Sequence, residues 1–281
     1  MASQDRIMDS FFSRFAAYLD RFRFFHIQIW EFSFRSLLKE YARIFFFGVV
    51  VSHPIRAIRG LRRYQRYVSH QSPVLSRPHP LLFIPEERVF IRRTVAQKAK
   101  PLVGLGFCLK PYDPGSEERS CPSGRENHDC LYLEREEVRP ACSGCSIFKI
   151  AGPCLEIGCP VYIMTSAKDM AEDFMLPQIK GGSFPAAILF LCPYSVQAII
   201  PPLLICGVDS ALLAYERGNC GGYKEWLRAD RGVKEEQTSL TAESWSKLFG
   251  LLDRLGDAGA SPRQSLKHHR FCRRGNIFHP E

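Results

Sequence analysis

The sequence predicts an α/β fold: a small parallel sheet of about four strands flanked by helices, preceded by an amphipathic helical arm. Two patterns carry this reading. Beyond residue 100, short apolar runs alternate with stretches of helical spacing, as in a parallel sheet whose crossovers are helices. Before residue 69 the apolar residues instead recur at intervals of three and four among arginines, the spacing of an amphipathic helix. Composition divides at the same place. All eleven cysteines of the 281-residue chain lie beyond residue 100, while the first 100 residues carry 18 Lys/Arg against 7 Asp/Glu.

The arm, residues 1–68, is aromatic and basic. Phe11, Phe15, Leu19, Phe22, Trp30, Leu37 and Tyr41 trace its apolar stripe. Its longest apolar run, "IFFFGVVV" from Ile44 to Val51, is far short of the roughly 20 residues of a spanning helix. With Arg43 before it and "RAIRGLRRYQR" after it, the arm predicts docking on an anionic membrane surface or a protein partner. Packing of a helical hairpin on the rest of the chain is the alternative. A basic aromatic stretch alone does not point to nucleic acid. Residues 69–86, rich in Pro and Ser, read as a linker.

Residues 87–256 form the expected cysteine-rich α/β domain. A helix over about Glu86 to Lys98 leads into strands at Pro101 to Leu109, Cys159 to Thr165, Pro185 to Cys192 and Ala211 to Glu216. Helices fill the intervals. Ser166 is placed to cap one and Gly181–Gly182 to close it, while Pro201–Pro202 interrupt the next. "TAESWSKLFGLLDRLG" gives a final amphipathic helix, and the basic tail 257–281 reads as disordered.

The opening residues lack an unbroken apolar segment of the secretory kind, which predicts a reducing, cytoplasmic setting with peripheral membrane association through the arm. There cysteines serve metals, redox chemistry or packing. Ligands of an open parallel sheet bind beyond the carboxyl ends of its strands, and this rule sorts the thiols. Cys108 ends the first strand, Cys192 the third, and Cys220 follows the fourth in "ERGNCGGY". Cys142 and Cys145 lie in the loop entering a helix, where Cys-x-x-Cys spacing lets two sulfurs grip one ion.

These five are the predicted metal ligands, with iron–sulfur or zinc undecided. Cys121 and Cys130, in the long loop "CPSGRENHDC", are weaker candidates, and His128 reads as a surface residue. Cys154 falls on an apolar helical face with Ile147, Ile150 and Ala151, and reads as core, as does Cys206. Cys159 begins its strand, at the opposite edge. Cys272, near His268, His269 and His279, reads as a stray surface thiol.

The rival cluster motif, Cys142, Cys145, Cys154 and Cys159, departs from compact ferredoxin spacing. Two other functions stay open: a redox protein using the Cys142/Cys145 dithiol, and an interaction protein stabilised by zinc. No phosphate-binding or dinucleotide fingerprint and no nucleophile–base set occurs, so no reaction is assigned.

In order, "FCLK" with Cys108, Cys121-Pro122, "CSGCSI", "ILFLC" with Cys192 and "ERGNC" with Cys220 resemble a prokaryotic family, domain of unknown function 116, over about residues 101–236. Where that family places a further cysteine before its Cys-x-x-Cys, this chain has Arg139. The resemblance implies a cysteine-rich α/β domain suspected of binding metal, with no established reaction.

Overall fold

The four expected strands become the parallel centre of a larger, mixed sheet. The computed structural model describes residues 35–36, 39–75, 80–96, 100–259 and 270–281. Its strands are β1 (Leu81–Ile84), β2 (Leu102–Gly106), β3 (Val161–Met164), β4 (Ala186–Leu191), β5 (Asp209–Ala214), β6 (Phe271–Arg274) and β7 (Ile277–Pro280). The main helices are α1 (Glu40–Phe45, continued by a π-helical turn to Val51), α2 (Pro54–Leu75), α3 (Glu87–Ala96) and α4 (Ser146–Ile157). They are followed by α5, α6 (Pro193–Cys206), α7 (Tyr223–Asp230) and α8 (Ala242–Gly259). α5 is three contiguous stretches, Ala167–Asp169, Met170–Met175 and Leu176–Gly181, the middle one π-helical.

The sheet order is β1-β5-β4-β2-β3-β7-β6. β5, β4, β2 and β3 pair in parallel, whereas β1 and the β6–β7 hairpin add antiparallel to the two edges. The sheet thus has seven strands rather than about four, and is mixed rather than purely parallel. The additions come from segments expected to lack structure. Within the expected linker, residues 69–75 are the end of α2 and Leu81–Ile84 are strand β1, and residues 271–280 are a hairpin turned by Gly275–Asn276. Gly275 has φ 61°, a conformation that suits a residue without Cβ at a two-residue turn.

The parallel strands are apolar on both faces, so both are covered. Val103, Leu105, Ile188 and Leu213 face Phe90 of α3, Ile147 and Cys154 of α4, and Leu248 and Leu251 of α8. Leu102, Tyr162, Leu189 and Leu212 face Tyr64 of α2, Phe174 of α5 and Leu203 of α6. Ser166 caps α5 as expected, accepting the Asp169 N–H at 3.1 Å, and Gly182 ends it at φ 68°. α6 runs unbroken through Pro201 and Pro202 to Gly207. A proline removes one donor, and packing of this helix against both sheet and α2 holds its course.

Residues 1–34, most of the expected arm, lie outside the described residues, as does the stretch 260–269. What is described of the arm packs on the domain. Ala57, Tyr64 and Tyr67 of α2 are buried, and the Tyr67 hydroxyl donates to the Phe83 carbonyl at 2.9 Å. Gly60 sets the approach of α2 to α6: a Cβ built there would stand 2.4 Å from the Ile205 Cα. Overpacking of this kind costs about 1–3 kcal/mol. Gly60→Leu is therefore expected to lower the unfolding free energy by that amount, moving the urea midpoint down, and an unchanged unfolding curve would show that α2 does not bear on the core.

Candidate functional site

The chain changes direction around β2. The connection after β2 leads to β3 on one side, and the one after β4 leads to β5 on the other. β2 and β4 are neighbours, so their carboxyl ends flank the crevice where such sheets bind ligands. Cys108, in the turn Phe107–Leu109, and Cys192, the residue before α6, stand on the two sides of it. Cys220, in the loop after β5, joins them. Its N–H donates to the Cys192 Sγ at 3.3 Å, and the Lys234 Nζ donates to the Cys220 Sγ at 3.3 Å.

These three thiols line a cavity of about 200 Å³ at the carboxyl edge. Its wall is mainly apolar, with Phe45 of α1, Met164, Met170, Ile199 and Trp226. Gly106 shapes the floor. Its N–H donates to the Tyr215 hydroxyl at 3.0 Å, and a Cβ there would meet that oxygen at 2.6 Å. Burial pushes the Cys108 thiol up. Cys192 and Cys220 move in opposite directions. The hydrogen bond from Cys192 to Cys220 raises the first and lowers the second, and the Lys234 ammonium favours the Cys220 thiolate further.

Cys142 and Cys145 are elsewhere. With Cys121 and Cys130 they line a separate, enclosed cavity of about 20 Å³. The predicted five-thiol centre is thus divided into a group of three and a pair, and the pair is completed by the two weaker candidates. The Pro140–Gly144 turn and the start of α4 carry the Cys-x-x-Cys, with the Cys145 N–H bonded to the Cys142 carbonyl at 3.0 Å. Cys145 precedes α4, and Cys130 precedes a short helix, Leu131–Arg135. The backbone N–H groups of Ile147 and Phe148 favour the Cys145 thiolate and those of Tyr132 and Leu133 the Cys130 thiolate, although neither sulfur accepts a capping hydrogen bond. Burial outweighs them, raising Cys130 and pushing Cys145 up to about 11. Among the described residues, no group of three or more His, Cys, Asp or Glu side chains is drawn into metal-holding geometry.

Lys110 organises the long loop around this cavity. It is 1% exposed, and its Nζ donates to the Gly124 carbonyl at 3.0 Å, the Asn127 carbonyl at 2.9 Å, the Asn127 Oδ1 at 2.7 Å and the Asp129 carbonyl at 2.8 Å. Burial lowers its pKa, while Cys121, Cys130, Asp129 and Cys145 oppose that shift. Sequence reading passed over this lysine because a single Lys after a strand carries no local signal. His128, expected at the surface, is half-buried and bonded to β3, its Nδ1 2.7 Å from the Ile163 carbonyl. Arg125 reaches from the same loop to the carbonyls of Lys234 and Glu236.

The other thiols keep the places expected of them. Cys154 and Cys159 are fully buried, joined by the Cys159 N–H to the Cys154 carbonyl at 2.8 Å. Cys206 is buried at the end of α6, and Cys272 is half-exposed on β6 opposite His279. No family model, curated protein or solved structure matches this chain.

Replacing Lys110 by Met removes the donor shared by the Gly124, Asn127 and Asp129 carbonyls, while Asn127 Oδ1 keeps the Asp129 N–H; the cost is up to about 1–3 kcal/mol for each carbonyl left unsatisfied. Lys110→Met is expected to lower the melting temperature and to open residues 111–130 to limited proteolysis. Wild-type resistance of that loop would remove Lys110 from its role.

Proposed function

We propose that this chain is a metal-binding protein whose centre is held by Cys121, Cys130, Cys142 and Cys145, and which docks on anionic membrane through α1 and α2. The observation that carries the metal reading is convergence. Four thiols from two loops border one enclosed cavity, and two of them stand at helix N-termini facing paired N–H groups. A fixed cation, Lys110, lies beside them. Four thiolates around a divalent ion leave a net charge of −2, which an adjacent ammonium offsets in a medium that screens poorly.

The cavity size favours one ion over a cluster. A space of about 20 Å³ is little more than a water molecule requires, and four cysteine thiolates on one such ion are zinc chemistry. Zinc there would tie the Lys110 loop to the start of α4, a structural role with no open position for substrate. Metal analysis of anaerobically purified protein tests this. One zinc per chain is expected, lost in Cys142→Ser and kept in Cys192→Ser; iron with inorganic sulfide would replace zinc by a cluster. The opposite pattern, loss in Cys192→Ser alone, would place the metal at the carboxyl edge.

The raised thiols also set a pH dependence. Below their pKa values Cys130 and Cys145 hold protons that an ion must displace. Affinity is therefore expected to weaken as pH falls, by up to about tenfold per unit for each proton released. Competition with a chromophoric chelator between pH 8 and 6 measures it, and a flat profile would mean that the ligands are already thiolates.

The membrane reading rests on the bend between α1 and α2. Of the eight exposed large apolar side chains among the described residues, six lie here: Phe46, Phe47, Val51, Ile55, Ile58 and Leu61. From Arg43 to Leu75 the sequence has no Asp or Glu, and Arg59, Arg62, Arg63 and Arg66 are exposed on α2. Apolar side chains beside unopposed arginines match an anionic interface, where each basic residue contributes about 1 kcal/mol. No single helix among the described residues is long and apolar enough to cross a membrane; α1 with its π turn and α2 are bent by 104°. Phe46→Ser with Phe47→Ser is expected to abolish sedimentation with phosphatidylserine vesicles, and high salt to weaken it in the unaltered protein. Equal sedimentation with neutral phosphatidylcholine vesicles would remove the electrostatic component.

A further inference from the structure

We propose that the carboxyl-edge cavity is a thiol–disulfide exchange site in which Cys220 attacks and Cys192 resolves, acting on a small disulfide with an apolar body. This is independent of the metal centre, which uses other cysteines.

The pair is set apart by geometry. Cys220 has the Lys234 ammonium at 3.3 Å on its sulfur, and its own N–H 3.3 Å from the Cys192 sulfur. The attacking group of such a reaction is a thiolate beside a cation, with a second thiol in reach to displace the product. Cys108 lies in the same cavity beside the Tyr215 hydroxyl and has no cation of its own at hydrogen-bonding distance. Both reacting sulfurs belong to the switch-point crevice of the sheet, where a ligand is met by loops from several strands.

The cavity selects the substrate class. Its wall of Phe45, Met164, Met170, Ile199 and Trp226 suits an apolar body, and its volume of about 200 Å³ has no room for a folded protein. Thr165, Ser166 and Asp230 supply polar groups at one side.

The steps balance. The Cys220 thiolate attacks one sulfur of R–S–S–R, forming Cys220–S–S–R as the old S–S bond breaks and its electron pair leaves on R–S⁻. That thiolate takes the proton of Cys192 and departs as R–SH. The Cys192 thiolate then attacks the Cys220 sulfur, forming the Cys192–Cys220 disulfide and releasing a second R–S⁻. The two protein sulfurs are oxidised by two electrons, and the substrate disulfide is reduced by two. A dithiol reductant returns Cys192 and Cys220 to thiols by two exchanges of the same kind, itself becoming a disulfide.

Limiting 4,4′-dithiodipyridine, an apolar disulfide whose thiopyridone product is coloured, tests this on the full-length reduced protein. Mass mapping is expected to find Cys192 linked to Cys220, with a mass loss of about 2 Da and two thiopyridones released per chain. Cys192→Ser is expected to stop at a pyridyl mixed disulfide on Cys220 with one released, and oxidised glutathione, polar and larger, to react more slowly. Modification confined to Cys121 or Cys272, with Cys192 and Cys220 still reduced, overturns the proposal. So does release of bound metal in step with formation of the Cys192–Cys220 disulfide while Cys121, Cys130, Cys142 and Cys145 stay unmodified, which would make Cys192 and Cys220 ligands. The mapping needs no variant, so it stands even if Cys192→Ser fails to fold.

Discussion

A single buried ammonium holds much of this molecule in order. Lys110 follows the buried turn Phe107–Leu109 that closes β2, so its position is tied to the sheet, and its Nζ gathers four oxygens of the loop between Gly124 and Asp129. An ammonium has three protons, so the four acceptors share them, while Cys121, Cys130, Cys145 and Asp129 offset its charge. Removing such a charge from water is costly, and the bonds must be complete for the arrangement to persist. The loop therefore has little freedom. It delivers Cys121 and Cys130 to the Cys-x-x-Cys, and it carries Arg125 to the backbone of Lys234 and Glu236. Through that arginine, the cation beside Cys220 depends on the cation beneath Cys130.

The two thiol groups differ in what surrounds them. Around the smaller cavity each of two sulfurs faces paired backbone donors, and the side chains are closely packed. Around the larger one, a sulfur meets a side-chain cation and another sulfur, with open apolar space beside them. The first setting is that of the proposed metal centre, the second that of the proposed thiol–disulfide exchange. Seven cysteines in two environments need not share one chemistry.

The parallel strands were legible because a buried strand is a continuous apolar run, and β2 to β5 each have one. Their ends were less so: the expected Pro101 to Leu109 strand stops at Gly106, where the chain turns to bring Cys108 round. β1 escaped notice as four residues between prolines. The β6–β7 hairpin did carry a usable mark, Gly275-Asn276 between residues of strand type, obscured by the charges around it. Sorting thiols by strand ends correctly brought Cys108, Cys192 and Cys220 together. It failed for Cys142 and Cys145 because the partner of a loop is chosen by long-range contacts, here those of Lys110, which no local spacing encodes.

The close fit of Gly60 against Ile205 has a mechanical consequence. α2 meets α6 almost backbone to backbone, and α6 begins directly after Cys192. The basic helix is thus a rigid strut and not a tether, and whatever surface it lies on determines how the entire sheet is tilted. The angle between that surface and the mouth of the carboxyl-edge cavity is built into one glycine.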